Sequence, residues 1–527
     1  MDSVKPLTAK WGSRLVVVSN RGACILKVTS QGVEALPSVS GLVSAVEPVI
    51  MQEGGVWIAW GGRFGKEDET MGLSLPMPES GQKYVFHEVL LTRREVALFY
   101  EGFANSCLWP LCHSFVEKSV FNEEDWHAYR RVNEKYAAVL LKTAASQDWI
   151  WVHDYHLALL PGYIRKCRPY AGISLFWHIP FPPAEIFAVT PWGGELIRDM
   201  LGADLIGFHS GSYVRNFLQA AEEIAGAEVD YAAETIYWSG RRVKVIAAPI
   251  GINWTDFERL ARQEEVVRKA ARIRRSAGGE YLLLGVDRLD YTKGILERLK
   301  AIAWLLENYP RYRRTLTFIQ IAVPSRTGAF AYQSLRRQIE EMVGGINGKF
   351  MEDYHVPVKY LFRALGKPDL VAHYLAADMA LVTPLKDGLN LVAKEYVAAN
   401  ANDVGVLLLS PFAGAAGQLK EALTANPYNP RETASQIMLG LEMPVREKKR
   451  RLAALNRVVR EQDIHWWWRN YRRHWFTGAA RGKMVLSPEV IPEVLQHGTA
   501  FGLEGRGAGA VSRSCFKPSE IAANDRL

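Results

Sequence analysis

Residues 384–395 read Pro-Leu-Lys-Asp-Gly-Leu-Asn-Leu-Val-Ala-Lys-Glu, with a carboxylate and a glycine at a turn and a second carboxylate downstream. The apolar run Met379–Thr383 predicts a buried strand before the turn. Helix composition begins at Leu389, and Leu391, Val392, Tyr396 and Ala399 are spaced to face a core. A strand turning through Asp387-Gly388 into a helix leaves bare backbone N–H groups at the helix start, chemistry suited to a negatively charged group. Glu395 follows roughly 9–12 Å along the axis, a reach from a diphosphate to a ribose. Alone, the stretch is equally an ordinary α/β loop. A second loop shifts the balance: Asp287-Arg288-Leu-Asp290-Tyr-Thr-Lys293-Gly294 lies between a strand, Tyr281–Val286, and a helix, Ile295–Asn308. Two cations beside a glycine at a helix start suit a diphosphate better than one point charge.

The first half of the chain offers a matching set. Arg21 ends the strand Leu15–Ser19, where a forked donor can grip a phosphate, although a surface arginine is the plainer reading there. Ser40-Gly41 opens a helix, a second possible anion cradle. Trp149–Val152, Ser174–Trp177 and Leu205–Phe208 are strands whose carboxyl ends carry His153, Asp154, Tyr155 and His156, then His178, then His209. Open α/β sheets bind ligands at that edge. The four histidines lack companion cysteines or paired carboxylates, so a hydrogen-bonding sugar pocket is preferred over a metal site. Tyr100 and Trp109 lie in an aromatic-rich stretch whose rings read first as core.

The elements that must position these residues repeat an α/β rhythm twice, with a break at Pro249-Ile-Gly251. The fold class is therefore α/β, with two halves of similar size and a cleft between them. Expected divisions are a leader at 1–13, a first Rossmann-like domain at 14–250, a second at 251–455, a helix at 456–479 returning to the first, and a disordered tail at 480–527. A single charged helix is expected over 257–277 and another helix from Ser410–Ala416. The aromatic segment Ile464–Trp475 reads as cement between domains. The basic run Arg446–Arg451 reads as a solvated helix face.

The chain has 527 residues, 48% hydrophobic and 23% charged, with a mean hydropathy of -0.08. These are values of a soluble globular protein, and no apolar run of membrane-spanning length is present. Five scattered cysteines with no Cys-x-x-Cys pair support neither a disulfide framework nor a zinc site. A cytoplasmic location is expected. The net charge of +8 is better matched to phosphorylated small molecules than to nucleic acid, for which no motif is visible.

With these residues in view, the chain resembles the trehalose-6-phosphate synthases, retaining glycosyltransferases of family 20 with the GT-B fold. The resemblance rests on Val-Val-Ser-Asn-Arg21, Trp-Val-His-Asp-Tyr-His156, His178-Ile-Pro-Phe-Pro, Asp-Arg-Leu-Asp-Tyr-Thr-Lys-Gly294, Ile-Asn-Gly-Lys349, the 384–397 stretch and Ser-Pro-Phe-Ala-Gly-Ala-Ala416, in that order. It covers about residues 13–478. The resemblance implies transfer of glucose from UDP-glucose, or another nucleotide-glucose, to glucose 6-phosphate, with no cofactor and no metal. It assigns the donor diphosphate to Arg288 and Lys293, its backbone cap to Gly388, Leu389, Asn390, Leu391 and Val392, the ribose to Glu395 and the transferred glucose to Asp387. Gly41 would let backbone approach the donor. Arg21, Tyr100, Trp109, Asp154, Tyr155 and, reaching across, Arg336 would hold the acceptor. Asp154 and His178 would contact hydroxyls at the reacting centre. The family's same-face substitution makes the leaving phosphate take the acceptor's proton. The expected partners are small molecules, with neither nucleic acid nor membrane, and a homo-oligomer is compatible with the sequence.

The chain departs from the family pattern in the loop after Arg21 (Gly-Ala-Cys-Ile-Leu), at Ser40-Gly41, at Gly-Gly-Arg63 and at Pro411. Glucosylglycerol-phosphate synthase, with glycerol 3-phosphate as acceptor, is the alternative within the same chemistry. A non-catalytic sugar-phosphate sensor is the alternative outside it. Asn20-Arg21 and His178-Ile-Pro-Phe-Pro favour the trehalose side. The intact Arg288, Lys293, Asp387 and Glu395 disfavour a sensor.

Overall fold

The computed structural model describes residues 13–30, 32–38, 41–78, 81–326, 330–400 and 404–481. Residues 1–12 of the expected leader, Ser40 and the expected tail beyond 481 lie outside these.

The buried, β-branched runs of the first half pair as a sheet. Its spatial order is Glu228–Asp230, Thr235–Trp238, Arg241–Ala247, Leu205–Phe208, Gly172–Phe176, Trp149–His153, Leu15–Arg21, Gly55–Phe64, Tyr84–Leu91 and Met71–Met77. The run from Arg241–Ala247 to Tyr84–Leu91 is parallel throughout, with Val17 beside Trp57 on one side and Trp151 on the other. The remaining strands are antiparallel additions at the two edges. Parallel strands covered by helices are buried on both faces, which is why they read as continuous apolar runs.

The second half forms a six-stranded parallel sheet in the order Val358–Phe362, Leu316–Val323, Tyr281–Arg288, Met379–Val382, Val406–Leu409, Leu423–Thr424. Numbered along the chain, these strands lie 3-2-1-4-5-6, the doubly wound Rossmann order. The parallel strands of the first sheet begin the same way. In both, the winding reverses between the first and fourth strands, where such sheets open a ligand crevice. Arg21 and Asp154 flank that point in one half, and Arg288 and Asp387 flank it in the other.

Three expectations change. The 257–277 helix is two, Trp254–Ala261 and Glu264–Ala277, broken at Arg262-Gln263. Ser410–Ala416 opens no α-helix and gives only a short 3-10 turn, Gly414–Gly417, because its backbone is drawn into pairing with the 387–389 loop. The hairpin Cys24–Thr29/Gly32–Pro37 has no counterpart in the sequence reading.

The helix Ile464–Arg481 packs on the first sheet. Trp467, Trp468, Tyr471 and Trp475 are buried, and Trp468 lies 4.7 Å from Trp151. Burying each indole contributes roughly 2–3 kcal/mol, which fixes this helix to the first half although it follows the second in sequence. The chain crosses between halves at two adjacent points, joined where the Ile464 N–H donates to the Ile252 carbonyl at 3.0 Å. Lys394, from the second half, donates to the Ile250 carbonyl at 2.6 Å beside them. The Arg446–Arg451 run lies on the helix Val445–Glu461, where Arg450 and Arg451 pair with Glu447 on an exposed face.

Candidate active site

The 384–395 stretch turns as expected, with the helix two residues later, at Leu391–Ala399. Asn390 adopts φ 76°, a conformation its short polar side chain tolerates, and its Oδ1 accepts from the Ala393 N–H at 3.3 Å. The first-turn N–H groups of Leu391 and Val392 have no partner inside a helix. Gly388 lies against the first half: a Cβ there would stand 2.3 Å from the His178 carbonyl oxygen. The hydroxyl of Tyr213 donates to the Asp387 carbonyl at 3.1 Å, also across the halves. A Cβ on Gly41 would sit 3.3 Å from the Leu391 side chain, so the two helix starts face each other.

Lys293 Nζ donates to Asp387 Oδ2 at 2.6 Å, and Asn390 Nδ2 donates to the same oxygen at 3.1 Å. Burial would raise the Asp387 carboxyl, but Lys293 and Asn390 outweigh it and hold it below the ordinary range. Beneath this loop pair lies Arg298, 1% exposed, donating to Asp287 at 2.6 Å, Gln320 at 2.7 Å and Thr383 at 2.9 Å. It fixes the 287–294 loop to the base of the 384–395 loop. At Gly294, φ is +65° and a Cβ would lie 2.4 Å from the Thr383 carbonyl oxygen, so only glycine closes that turn. Glu395 is further along the helix, its carboxylate accepting from the Tyr374 hydroxyl at 2.9 Å.

Across the cleft, Arg21 stacks over the Trp60 ring at 3.9 Å and lies 5.7 Å from the Tyr100 ring. Tyr100 comes from a π-helix, Val96–Leu108, a widened helix of the kind found at functional sites. No periodicity in the sequence announces it. Asp154 follows the strand Trp149–His153 at φ 73°, ψ 168°, a region essentially reserved for glycine. Its Oδ1 accepts from the N–H groups of Tyr155 at 3.0 Å and His178 at 3.2 Å. Burial pushes the carboxyl up to about 7, against the pull of those N–H groups, Arg288 and Arg326.

Two cations of the second half lie over the Trp109 ring, Arg326 at 4.3 Å and Arg288 at 5.2 Å from its centroid. Its indole N–H is buried with no partner among the described residues. Arg326 is the cation that sequence reading missed. Its side chain is 7% exposed, 3.4 Å from Asp290 and bonded to Tyr332. It follows the strand Leu316–Val323 at φ 49°, and its position in Val-Pro-Ser-Arg, directly after a parallel strand, was the available signal. His113, buried beside Trp109 and held to its carbonyl at 2.7 Å, was also missed.

Two expected residues are placed differently. Arg336 pairs with Glu340 one turn on and lies over Phe362 on the edge strand, half-exposed. The strand-end position belongs to Arg326, whereas Arg336 is well inside the next helix and points where helical spacing sends it. Tyr155 is 2% exposed, and its hydroxyl donates to Asn105 at 2.8 Å. The reversal at Asp154 turns Tyr155 inward, so it braces the π-helix instead of presenting its hydroxyl to a ligand.

This architecture has known counterparts. The family model for glycosyltransferase family 20 matches residues 13–475. A trehalose-6-phosphate synthase of Mycolicibacterium vanbaalenii is 39% identical over 475 residues, 88% of this chain and 96% of that protein. A bifunctional trehalose-6-phosphate synthase/phosphatase of Thermoproteus tenax is 41% identical over 466 residues, and the match spans 62% of its length. Among solved structures, an α,α-trehalose-phosphate synthase from Burkholderia xenovorans in complex with glucose-6-phosphate superposes with a TM-score of 0.81 at 33% identity, covering 88% of this chain and 100% of that one. An E. coli structure bound with UDP-2-fluoro glucose gives a TM-score of 0.80 at 33% identity, covering 88% and 99%. The paired Rossmann-like sheets are the GT-B fold, and the chain belongs to glycosyltransferase family 20.

Proposed function

We propose that the chain transfers glucose from UDP-glucose, or another nucleotide-glucose, to glucose 6-phosphate with retention, giving α,α-trehalose 6-phosphate and UDP. The observation that carries this reading is the facing of the two switch points. A diphosphate-sized cradle (Arg288, Lys293 and the helix start at Leu391) confronts a cationic, aromatic-walled pocket (Arg21, Tyr100, Trp109 and Arg326). One holds the donor and the other the acceptor phosphate. Glu395 takes the ribose, and Asp387 and His178 take the transferred glucose. Asp154 contacts the acceptor near the reacting centre.

The carboxylates argue for same-face substitution. Double displacement needs a free nucleophilic carboxylate about 5 Å from an acid/base. Asp387 is tied up by Lys293 and Asn390 through one oxygen. Asp154 is pushed toward its neutral form by burial. In the proposed step the bond from the anomeric carbon to the UDP phosphate oxygen breaks, and the acceptor oxygen bonds to that carbon on the same face. The acceptor's hydroxyl proton passes to the departing phosphate. Arg288, Lys293 and the helix start stabilise the charge that develops there, and closure of the cleft aligns the acceptor and excludes water.

Measuring UDP release from UDP-glucose with glucose 6-phosphate and with glycerol 3-phosphate tests the reading. Release with glucose 6-phosphate is expected. Release with glycerol 3-phosphate alone would assign the alternative acceptor, and binding without turnover for any nucleotide sugar would make the chain a sensor. The same assay with other nucleotide-glucose donors sets the donor preference.

A further inference from the structure

We infer that His153 sets the tautomer of His178, so that His178 presents an Nδ1–H donor to the cleft. His153 ends one parallel strand and His178 follows the end of its neighbour, Gly172–Phe176, with His153 Nδ1 3.0 Å from His178 Nε2. One proton serves that contact, and which nitrogen carries it decides what His178 offers at Nδ1.

The surroundings select one arrangement. His153 is fully buried, and its Nε2 has no hydrogen-bond partner among the described residues. Were His178 Nε2 the donor, neutral His153 would carry its own proton on Nε2, as a buried N–H with nothing to meet. A buried N–H with no acceptor carries its full desolvation cost. With the proton on His153 Nδ1 instead, His153 donates to His178 Nε2, its Nε2 is a bare lone pair, and His178 carries hydrogen on Nδ1. Protonation of both rings is no escape, because burial holds each well below the usual imidazole range. His178 itself is only partly buried, and no hydrogen bond to its Nδ1 is found among the described residues. Its backbone carbonyl lies against Gly388, so the ring stands at the joint between donor loop and first sheet.

The tautomer follows from the protein alone. What the donor meets, a hydroxyl oxygen of the transferred glucose, rests on the proposed reaction. His153 touches no substrate and is a positioning residue. The carboxyl-edge placement of His153 would otherwise suggest a ligand contact, but its ring lies inside the sheet layer, 4.3 Å from Trp151.

The test is the long-range nitrogen–proton NMR correlation of the histidine-labelled full chain without substrates, with His178 assigned by its loss in His178→Gln. His178 is expected with a bare Nε2 and a protonated Nδ1, and the opposite tautomer overturns the inference. His153→Asn places an amide N–H where Nδ1 was and should keep both the His178 tautomer and kcat within about threefold of the parent. His153→Leu removes the donor. It should release the His178 tautomer and lower kcat about tenfold, more than it changes KM for UDP-glucose. An unchanged His178 tautomer in His153→Leu overturns the inference whatever its activity. Because the spectra are recorded without substrates, an absence of turnover in the wild type tells against the reaction and not against the tautomer.

Discussion

Asp154→Asn should make the ligand-free protein more stable at alkaline pH while nearly abolishing turnover. The carboxyl is raised by burial from its ordinary 3.8 to about 7, and its side chain is 15% exposed. The sign follows from linkage. A group with a raised native pKa contributes stability that is complete below the ordinary value and is lost as pH rises through the native one. From about 3.8 to about 7, the loss approaches about 4 kcal/mol once the pH is well above 7. At about pH 5.5 roughly half of that has accrued, so the advantage of Asp154→Asn should widen by about 2 kcal/mol between about pH 5.5 and pH 8.5. Asparagine still accepts the N–H groups of Tyr155 and His178 and tolerates positive φ, so the comparison isolates the charge. Urea denaturation followed by tryptophan fluorescence at the two pH values reads the gap, and initial rates should show kcat/KM lower by at least about a hundredfold. A gap that is the same at both pH values would refute the argument.

Arg326→Ala should raise KM for glucose 6-phosphate about thirty- to a hundredfold, the loss of about 2–3 kcal/mol from a charge-assisted phosphate contact, whereas Arg336→Ala should stay within about threefold. The reverse order in initial-rate kinetics would return Arg336 to the site. Arg288→Ala should cost on the order of 3 kcal/mol, about a hundredfold in kcat, and near-normal kinetics would remove Arg288 from the diphosphate cradle. Gly388→Ala should keep the fold, since the clash is with the other half, yet lower kcat/KM at least about tenfold because a Cβ would lie 2.3 Å from the His178 carbonyl. Wild-type rates there would mean that the halves do not close on this contact.

Much of this was legible because parallel strands are buried on both faces. Leu15–Val18, Trp149–Val152, Tyr281–Val286 and Met379–Val382 are runs without a charged or hydrogen-bonding polar side chain apart from the tyrosine hydroxyl and the indole N–H groups, and the polar residues after each mark the crevice edge. Arg288, Lys293, Asp387 and Glu395 stand at such ends or one helix turn beyond. What escaped depends on three-dimensional circumstance. The π-helix carrying Tyr100 has helix composition and differs only in its hydrogen bonding. Arg326 and Arg336 are both arginines on the strand–helix unit after Val323, and only the backbone turn at 326 separates the one that faces Trp109 from the one that faces Phe362. The inward turn of Tyr155 follows from the unusual φ at Asp154, which no side-chain pattern encodes. Arg298, buried amid leucines at helical spacing, reads as a surface cation until its four acceptors, Asp287, Gln320, Thr383 and the Lys293 carbonyl, are seen.

The helix Ile464–Arg481 also sets a timetable. Its indoles complete the face of a sheet whose last parallel strand ends at Ala247, about 230 residues earlier in synthesis. At ribosomal speeds of about 5–20 residues per second, the aromatic face around Trp151 and Phe176 waits roughly 10–50 s for its cover. During that interval the second sheet must emerge and fold beside a neighbour that is still unfinished. A nascent chain arrested before residue 464 would expose that face as a sticky surface, so the yield of this protein in the cell should depend on chaperone supply during elongation.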